Sequence, residues 1–330
     1  MPKKWVFLNR WYTDFLLIAM NPESGKKTIV PPIQVLFSTD WQDYELLDSG
    51  NGERLERFGR IKLIRPDAEA IWKPALPAKD WQNVQARFKS APEETGGHWE
   101  KESQFPAEWV LGYKNLRFSC QLSISKHVGV FPEQAVQWDW ISQQVKQADR
   151  PLKILNLFGY TGLATLAAAS AGAKVTHLDA SKKVISWAKA NQTLSHISQD
   201  SIRWILDDAL KFVQREARRA SLYDGIILDP PKFGRGPKGE VWEFYKVIPL
   251  LLSSIRQILT PNPAFVILTA YAVKASALTL YQALSEIMHP FHGVTECGEV
   301  VLKDVSASRL LSTSIFARWN CFGKNHDPDH

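Results

Sequence analysis

The chain has 330 residues, 45% hydrophobic, 22% charged and 11% aromatic, with 40 Lys+Arg against 34 Asp+Glu. That length holds core for about two domains, and the composition excludes wholesale disorder, a collagen-like fibre and a disulfide-stapled miniprotein. The three cysteines, Cys120, Cys297 and Cys321, are scattered and form neither a metal-ligand pair nor a redox pair, which points to a reducing, cytoplasmic compartment.

The formal net charge of +6 suits nucleic acid but does not demand it. Its distribution is uneven: residues 1–120 carry 17 Lys+Arg against 16 Asp+Glu, and residues 121–330 carry 23 against 18. Any basic field therefore belongs to the C-terminal part. The start, Met1-Pro-Lys-Lys and then Trp-Val-Phe-Leu, has a trace of a signal peptide, but Asn9, Arg10 and Asp14 interrupt the apolar run. Elsewhere no uncharged apolar stretch reaches the roughly 18 residues a spanning helix needs, so no membrane segment is expected.

Residues 1–90 contain short β-prone segments, Thr28–Val30, Ile33–Phe37 and Arg60–Ile64, with a strong turn at Asp48–Gly52. Seven of the 13 Trp lie at or before Trp109, which reads as a β-rich domain filled by Trp, or alternatively as a stacking platform for bases. Residues 91–106 are polar with Gly and Pro and read as an exposed loop or linker. The expected organisation is a β-rich accessory domain over 1–120, a candidate for substrate recognition, and a second domain over 121–330.

From residue 152 the rhythm changes. Strands are predicted at Lys153–Phe158, Lys174–Asp179, Ser201–Leu206, Tyr223–Leu228 and Ala264–Thr269. Helices fall between and after them at Leu163–Ala171, Ser181–Thr193, Ala209–Arg219, Phe244–Leu259 and Leu278–Met288. That alternation means right-handed βαβ units and a doubly wound, mostly parallel sheet. Val294–Asp304 and Leu311–Trp319 have no helix between them and should close the sheet edge as an antiparallel hairpin.

Ligands of such a sheet bind beyond the carboxyl ends of its strands. The first of those ends reads Asn156-Leu157-Phe158-Gly159-Tyr160-Thr161-Gly162, a two-glycine turn into a helix N-terminus but without the third glycine of a dinucleotide fingerprint. Asp179 ends the second strand, where an acid accepts from both ribose hydroxyls of an adenosine or serves as a helix cap. Asp207-Asp208 ends the third; one carboxylate suits an adenine amino group and the other a cap, with Asp208 favoured for the adenine. The fourth end is Asp229-Pro230-Pro231-Lys232-Phe233. Two prolines stiffen that turn and leave the Asp229 carboxylate and the Pro230 carbonyl as acceptors for an amino or ring nitrogen.

Together these residues resemble class I S-adenosylmethionine-dependent methyltransferases over roughly residues 120–320. The resemblance implies a seven-stranded Rossmann-like sheet and S-adenosyl-L-methionine as cofactor, leaving S-adenosyl-L-homocysteine. It places Asn156, Phe158, Gly159, Tyr160, Thr161 and Gly162 in the cofactor loop, with Asn156 where an acid is commoner. It further places Asp179 with Ala180 at the ribose, Asp208 with Ala209 at the adenine, and Asp229, Pro230, Pro231, Lys232 and Phe233 in the catalytic loop. His127–Gln134 looks like the family's upstream element, with Phe131 and Gln134 as cofactor contacts. The Asp-Pro-Pro-Lys-Phe form is similar to the bacterial large-subunit ribosomal-RNA methyltransferases of the I and K/L types, which implies an RNA substrate and rRNA processing. The first 120 residues match that branch poorly and contain no clear PUA domain, so a protein side chain or small molecule stays open as substrate, as does a non-catalytic RNA-binding protein on the same fold.

Carbon-5 methylation of cytosine needs a Cys nucleophile, and neither Asp229–Phe233 nor Leu268–Tyr271 supplies one. Direct in-line transfer to a nitrogen is therefore expected. Lys232, Arg235 and Lys238 lie among glycines just after the catalytic loop, as phosphate contacts or as a solvated lid. Phe233 is a candidate to stack on an extruded base. Tyr160 and Tyr271 read equally as rim contacts or core, while Lys303, Arg309 and Arg318 read as ordinary surface. No metal site is expected, and monomer and homodimer both stay open.

Overall fold

The computed structural model describes residues 17–20, 27–91 and 96–322. The Met1–Leu8 segment, Trp5, Trp11 and residues 92–95 of the expected linker lie outside the described residues. The N-terminal elements are β1 (Leu17–Met20), β2 (Lys27–Val30), β3 (Ile33–Leu36), β4 (Tyr44–Gly50), β5 (Glu53–Phe58), β6 (Ile61–Pro66), α1 (Ala78–Gln82), β7 (Ala86–Ser90), β8 (Gly97–Lys101), β9 (Trp109–Tyr113) and β10 (Leu116–Cys120). Then come α2 (Ala135–Gln147), β11 (Lys153–Leu157), α3 (Leu163–Ser170), β12 (Lys174–Asp179), α4 (Lys182–Leu194), β13 (Ile202–Leu206), α5 (Ala209–Arg218) and β14 (Gly225–Leu228). The chain continues through β15 (Phe233–Arg235), β16 (Val241–Glu243), α6 (Phe244–Arg256), β17 (Phe265–Ala270), α7 (Ala277–Met288), β18 (Val294–Lys303) and β19 (Leu310–Asn320).

The main sheet runs β13-β12-β11-β14-β17-β19-β18-β3. Its first five strands are parallel, and β19 lies antiparallel between β17 and β18. The strand order reverses between β11 and β14, so the carboxyl ends of those two strands flank the crevice a doubly wound sheet offers to a ligand. Apolar residues alternate between its faces: Ile154, Ile227 and Ile267 pack in one core with α2 and α3, while Leu155, Leu157, Leu228 and Leu268 pack in the other with α5, α6 and α7.

The seven expected strands of this sheet are present, and an eighth joins them from outside the predicted unit. β18 is not the edge: β3 pairs with it in parallel through Cys297–Val300. Gly298 makes room for that strand, because a Cβ there would overlap the Gln34 carbonyl. Covering β18 satisfies backbone groups that an edge leaves open.

Ahead of it, β4-β5-β6-β7-β8 form a twisted five-stranded sheet. Here the expected linker is corrected, since Gly97–Lys101 is a strand paired antiparallel with Ala86–Ser90. Trp99 holds it there, packing edge-on to Phe88 at 5.3 Å and donating its indole N–H to the carbonyls of Ser123 and Ser125. Trp81 is buried, and Trp41 packs among Tyr44, Tyr113, Phe118 and Trp138, as expected of Trp used as filler. Among the described residues, no helix is long and apolar enough to cross a membrane.

Candidate active site

Leaving β11, the chain enters a turn that L-residues rarely adopt: Phe158 and Tyr160 have φ of 59° and 48°, and Gly162 has 91°. Such conformations cost of order 1 kcal/mol or more each and persist where surroundings fix them. The fixing bonds are specific. Tyr160 N–H donates to Asp179 Oδ2 at 3.0 Å, and Gly159 N–H donates to the Leu178 carbonyl at 3.0 Å. Thr161 Oγ1 donates to the Gly129 carbonyl at 2.6 Å, and Asn191 Nδ2 to the Thr161 carbonyl at 3.0 Å.

Beneath the turn, Asn156 Nδ2 donates to Thr165 Oγ1 at 2.8 Å, and Thr165 Oγ1 lies 2.9 Å from His177 Nδ1. Burial pushes His177 down to about 3, so the ring is a neutral prop. A Cβ on Gly159 would overlap that ring, which explains the glycine.

Asp179 follows at the end of β12. Burial raises its carboxyl, opposed by N–H donation from Ser181 at 2.9 Å and from Tyr160. It is not the cap of α4; Ser181 is, accepting from Val184 N–H. After β13 the two acids divide differently from expectation. Asp208 itself caps α5 through Oδ1, accepting from Lys211 N–H at 2.9 Å. Asp207 accepts from Asp208 N–H at 2.9 Å and from Arg215 at 2.6 Å, so both its oxygens are engaged. Capping and facing the cavity coexist in Asp208 because one oxygen suffices for the cap.

Asp229 stands immediately beyond β14. Loss of water around it raises its carboxyl to about 6, opposed by the Thr269 hydroxyl that donates to it. The Pro231 carbonyl is taken by the Trp242 indole N–H at 2.6 Å. The segment expected as a solvated lid or phosphate contact is an ordered hairpin, β15 paired with β16. Phe233 is 64% exposed on it, with Lys232 Nζ 5.6 Å from its ring centre. Lys211 bonds Glu240 at 2.7 Å and ties the hairpin to α5.

These parts enclose a cavity of about 300 Å³, within the range of small-molecule sites, bounded by Phe131, Tyr160, Asp179, Asp208, Asp229 and Tyr271. Phe131 packs against Tyr160 at 5.3 Å and against Tyr271 at 5.8 Å. A smaller cavity of about 60 Å³ shares Phe131, Phe158, Tyr160 and Asp229 with it and continues to Gln134, Asn156, Thr161 and Gly162. Ala180 and Ala209 line the larger one. The two cavities bring the residues predicted from the sequence together, except that Pro230 is buried behind the wall and Lys232 and Phe233 stand outside it.

Sequence reasoning missed several groups. His127 lines the larger cavity with a buried Nδ1 that has no partner, held near 3 by burial and by the cations Arg65 and Lys126. Gln137 and Thr269 line the smaller cavity; a Gln three residues after Gln134, on one face of a helix, was the available signal for the first. Arg318 is not surface: it is 7% exposed and bonded to Glu296 and Gln137. Arg309 bridges Asp48 and Asp304, also away from the surface role expected for it. Lys303 is exposed as expected. No cysteine lines either cavity; Cys120 and Cys297 are buried and Cys321 is exposed in the tail. Among the described residues no three His, Cys, Asp or Glu are placed to hold a metal ion.

A strained turn fixed by its neighbours, two acids and buried polar atoms left without partners fit a polar, adenosine-bearing ligand. Comparison with known proteins gives the class. Residues 61–271 match the family model described as S-adenosylmethionine-dependent methyltransferase, and the chain belongs to that family. It is therefore a methyltransferase with S-adenosylmethionine as cofactor, on the Rossmann-like α/β sheet.

Among solved structures it is similar to an S-adenosylmethionine-dependent methyltransferase from Agrobacterium tumefaciens, 45% identical, with 88% of this chain and 96% of that one covered and a TM-score of 0.83. A protein from Streptococcus mutans, 15% identical over 86% of this chain and 76% of its own, has a TM-score of 0.66 and shows the fold alone. Among curated proteins it is similar to ribosomal RNA large subunit methyltransferase K/L of Shewanella frigidimarina, 27% identical over 62% of this chain. The chain spans only about a quarter of that relative, 27% of its length.

Proposed function

We propose that this methyltransferase modifies a base nitrogen of RNA, namely ribosomal RNA, by direct in-line transfer. The observation that carries the reading is the pairing of the Asp229 carboxyl with a hairpin at the cavity mouth that offers an exposed Phe233 and the cations Lys232, Arg235 and Lys238. The names of the curated relatives support the RNA target.

On this reading Asp179, with Ala180, receives the ribose hydroxyls, and Asp208, with Ala209, the adenine amino group. The turn Asn156, Phe158–Gly162 and the Phe131–Gln134 element hold the rest of the cofactor, which supplies a methyl group already activated on a sulfonium. No strong base is then required. Asp229 accepts a hydrogen of the target amino group and turns its lone pair inward; Pro230, buried behind the wall, and Pro231, its carbonyl committed to Trp242, keep that turn stiff. The proton released on transfer passes to Asp229, whose raised affinity suits it to accept. Phe233 stacks a base at the mouth, and Lys232, Arg235 and Lys238 contact phosphates. Residues 121–330 act as the catalytic unit and residues 1–120 as the accessory one, with β3 as its bridge to the catalytic sheet. The protein works as a monomer or homodimer in the cytoplasm.

Incubation with labelled cofactor and unmodified ribosomal RNA tests the proposal: label enters the RNA, and Asp229→Ala abolishes it. Binding should weaken steeply with salt, since phosphate contacts release counterions. A flat salt response, with no label in any RNA pool, moves the substrate to a protein side chain or small molecule.

A further inference from the structure

Gln137 lies on α2 one turn after Gln134 and is 2% exposed. Its Oε1 accepts from Arg318 Nη1 at 3.1 Å. A guanidinium only donates, so this bond settles which end of the amide faces Arg318 and turns the amino end the other way. That Nε2 is buried and has no hydrogen-bond partner. Gln137 lines the smaller cavity, together with Asn156, Thr269 and Asp229.

The neighbouring donors are committed. Asn156 Nδ2 bonds Thr165 at 2.8 Å, the Thr269 hydroxyl bonds Asp229, and Gln134 Nε2 bonds Ser314 at 3.3 Å. A buried donor without an acceptor is costly, and one sustained by a buried cation is costlier still. Arg318 is nonetheless kept there, 4.7 Å from the Trp140 ring and 5.2 Å from that of Phe316. Glu296 holds it and also accepts from Gln34 Nε2 of β3 at 2.7 Å. The sheet register supports this line, since Asn156, Ile227, Ile267, Arg318 and Glu296 stand side by side across five strands. The chain of contacts ends on an unpartnered amide N–H in a residue of the smaller cavity's wall.

S-adenosylmethionine carries one anionic acceptor, the carboxylate of its amino-acid end. The larger cavity, with Asp179, Asp207 and Asp208 in its wall besides the Asp229 that both share, suits the donors of the adenosine and repels an anion more than the smaller one does. We propose that Gln137 is a cofactor-binding residue whose Nε2 donates to that carboxylate, and that Arg318, held by Glu296, is the positioning residue that sets the orientation of the amide. The proposal rests on reading the two cavities as the adenosine and amino-acid ends of one cofactor site.

The test is calorimetry on the full chain with two ligands, S-adenosylhomocysteine and 5′-methylthioadenosine, which lacks the amino-acid end. Gln137→Glu keeps an acceptor for Arg318 and removes the donor; Gln137→Met removes both. In each variant, S-adenosylhomocysteine should bind about 10-fold more weakly or worse, with 5′-methylthioadenosine unchanged. Unfolding temperatures measured alongside confirm that the variants are folded. Equal weakening for both ligands, or S-adenosylhomocysteine affinity within about 2-fold of the parent, overturns the proposal. The cofactor reading fails by a different result: no heat from the unsubstituted protein with either ligand.

Discussion

The two walls of the larger cavity are built in opposite ways. The Phe158–Gly162 turn is clamped from below by Asn156, Thr165 and His177 and from the side by Asp179, and it holds two L-residues at positive φ. The β15–β16 hairpin is held to the rest by an indole N–H on the Pro231 carbonyl, by Trp242 packing on Phe158 at 4.7 Å and by the Lys211–Glu240 ion pair, and it presents Phe233 and Val241 to solvent. A wall with one geometry suits a ligand that never varies. An exposed wall suits a partner that supplies part of the fit itself.

The difference can be broken most severely at the point both walls share. Asp229→Ala should cut methyl transfer by about 10²-fold or more while leaving S-adenosylhomocysteine affinity near the parent value, measured by labelled turnover and calorimetry. Activity should also fall as pH drops through about 6, where Asp229 gains its proton. The same shift has a stability consequence. The folded value lies above the usual 3.8, so the contribution is present below that pH and is lost as pH rises through about 6. Asp229→Asn should therefore unfold at higher denaturant than the parent above pH 6, by about 2 kcal/mol, and show no gain near pH 4.

Gly159→Ala tests the rigid wall. The added methyl meets the His177 ring, and overpacking of about 1–3 kcal/mol should appear in both stability and S-adenosylhomocysteine affinity. The exposed wall should respond in another quantity. Replacing Lys232 and Lys238, which line neither cavity, with Gln should weaken RNA binding about 10-fold and flatten its salt dependence, without moving cofactor affinity. The smallest effect is expected at Lys211→Met, which breaks the ion pair to Glu240. Solvent-screened pairs of that kind contribute little, so melting should barely change. A loss of cofactor binding in the double variant, or a larger loss at Lys211 than at Gly159, would erase the contrast between the walls.

The α/β alternation was legible, and most residues predicted at the four strand ends line the two cavities, because each βα unit writes its strand, turn and helix contiguously. Periodicity and turn chemistry act over about ten residues. What was not legible depends on distant partners. Gly97–Lys101 has the composition of a linker and becomes a strand because Phe88 and the Ser123 and Ser125 carbonyls receive Trp99. Arg318 resembles any charged residue near a strand end until Glu296 and Gln137 surround it.

By itself, then, the sequence determined a doubly wound sheet, membership of a family that uses S-adenosylmethionine and the absence of a cysteine from Asp229–Phe233 and Leu268–Tyr271. Tertiary structure alone decided that β3 would cover β18, that Asp208 would both cap a helix and face the cavity, and that the Gln137 amide would point inward. Those outcomes join residues as far as 262 positions apart. Such contacts are set by packing and desolvation between surfaces that come together only when the chain has folded, so no local pattern records them.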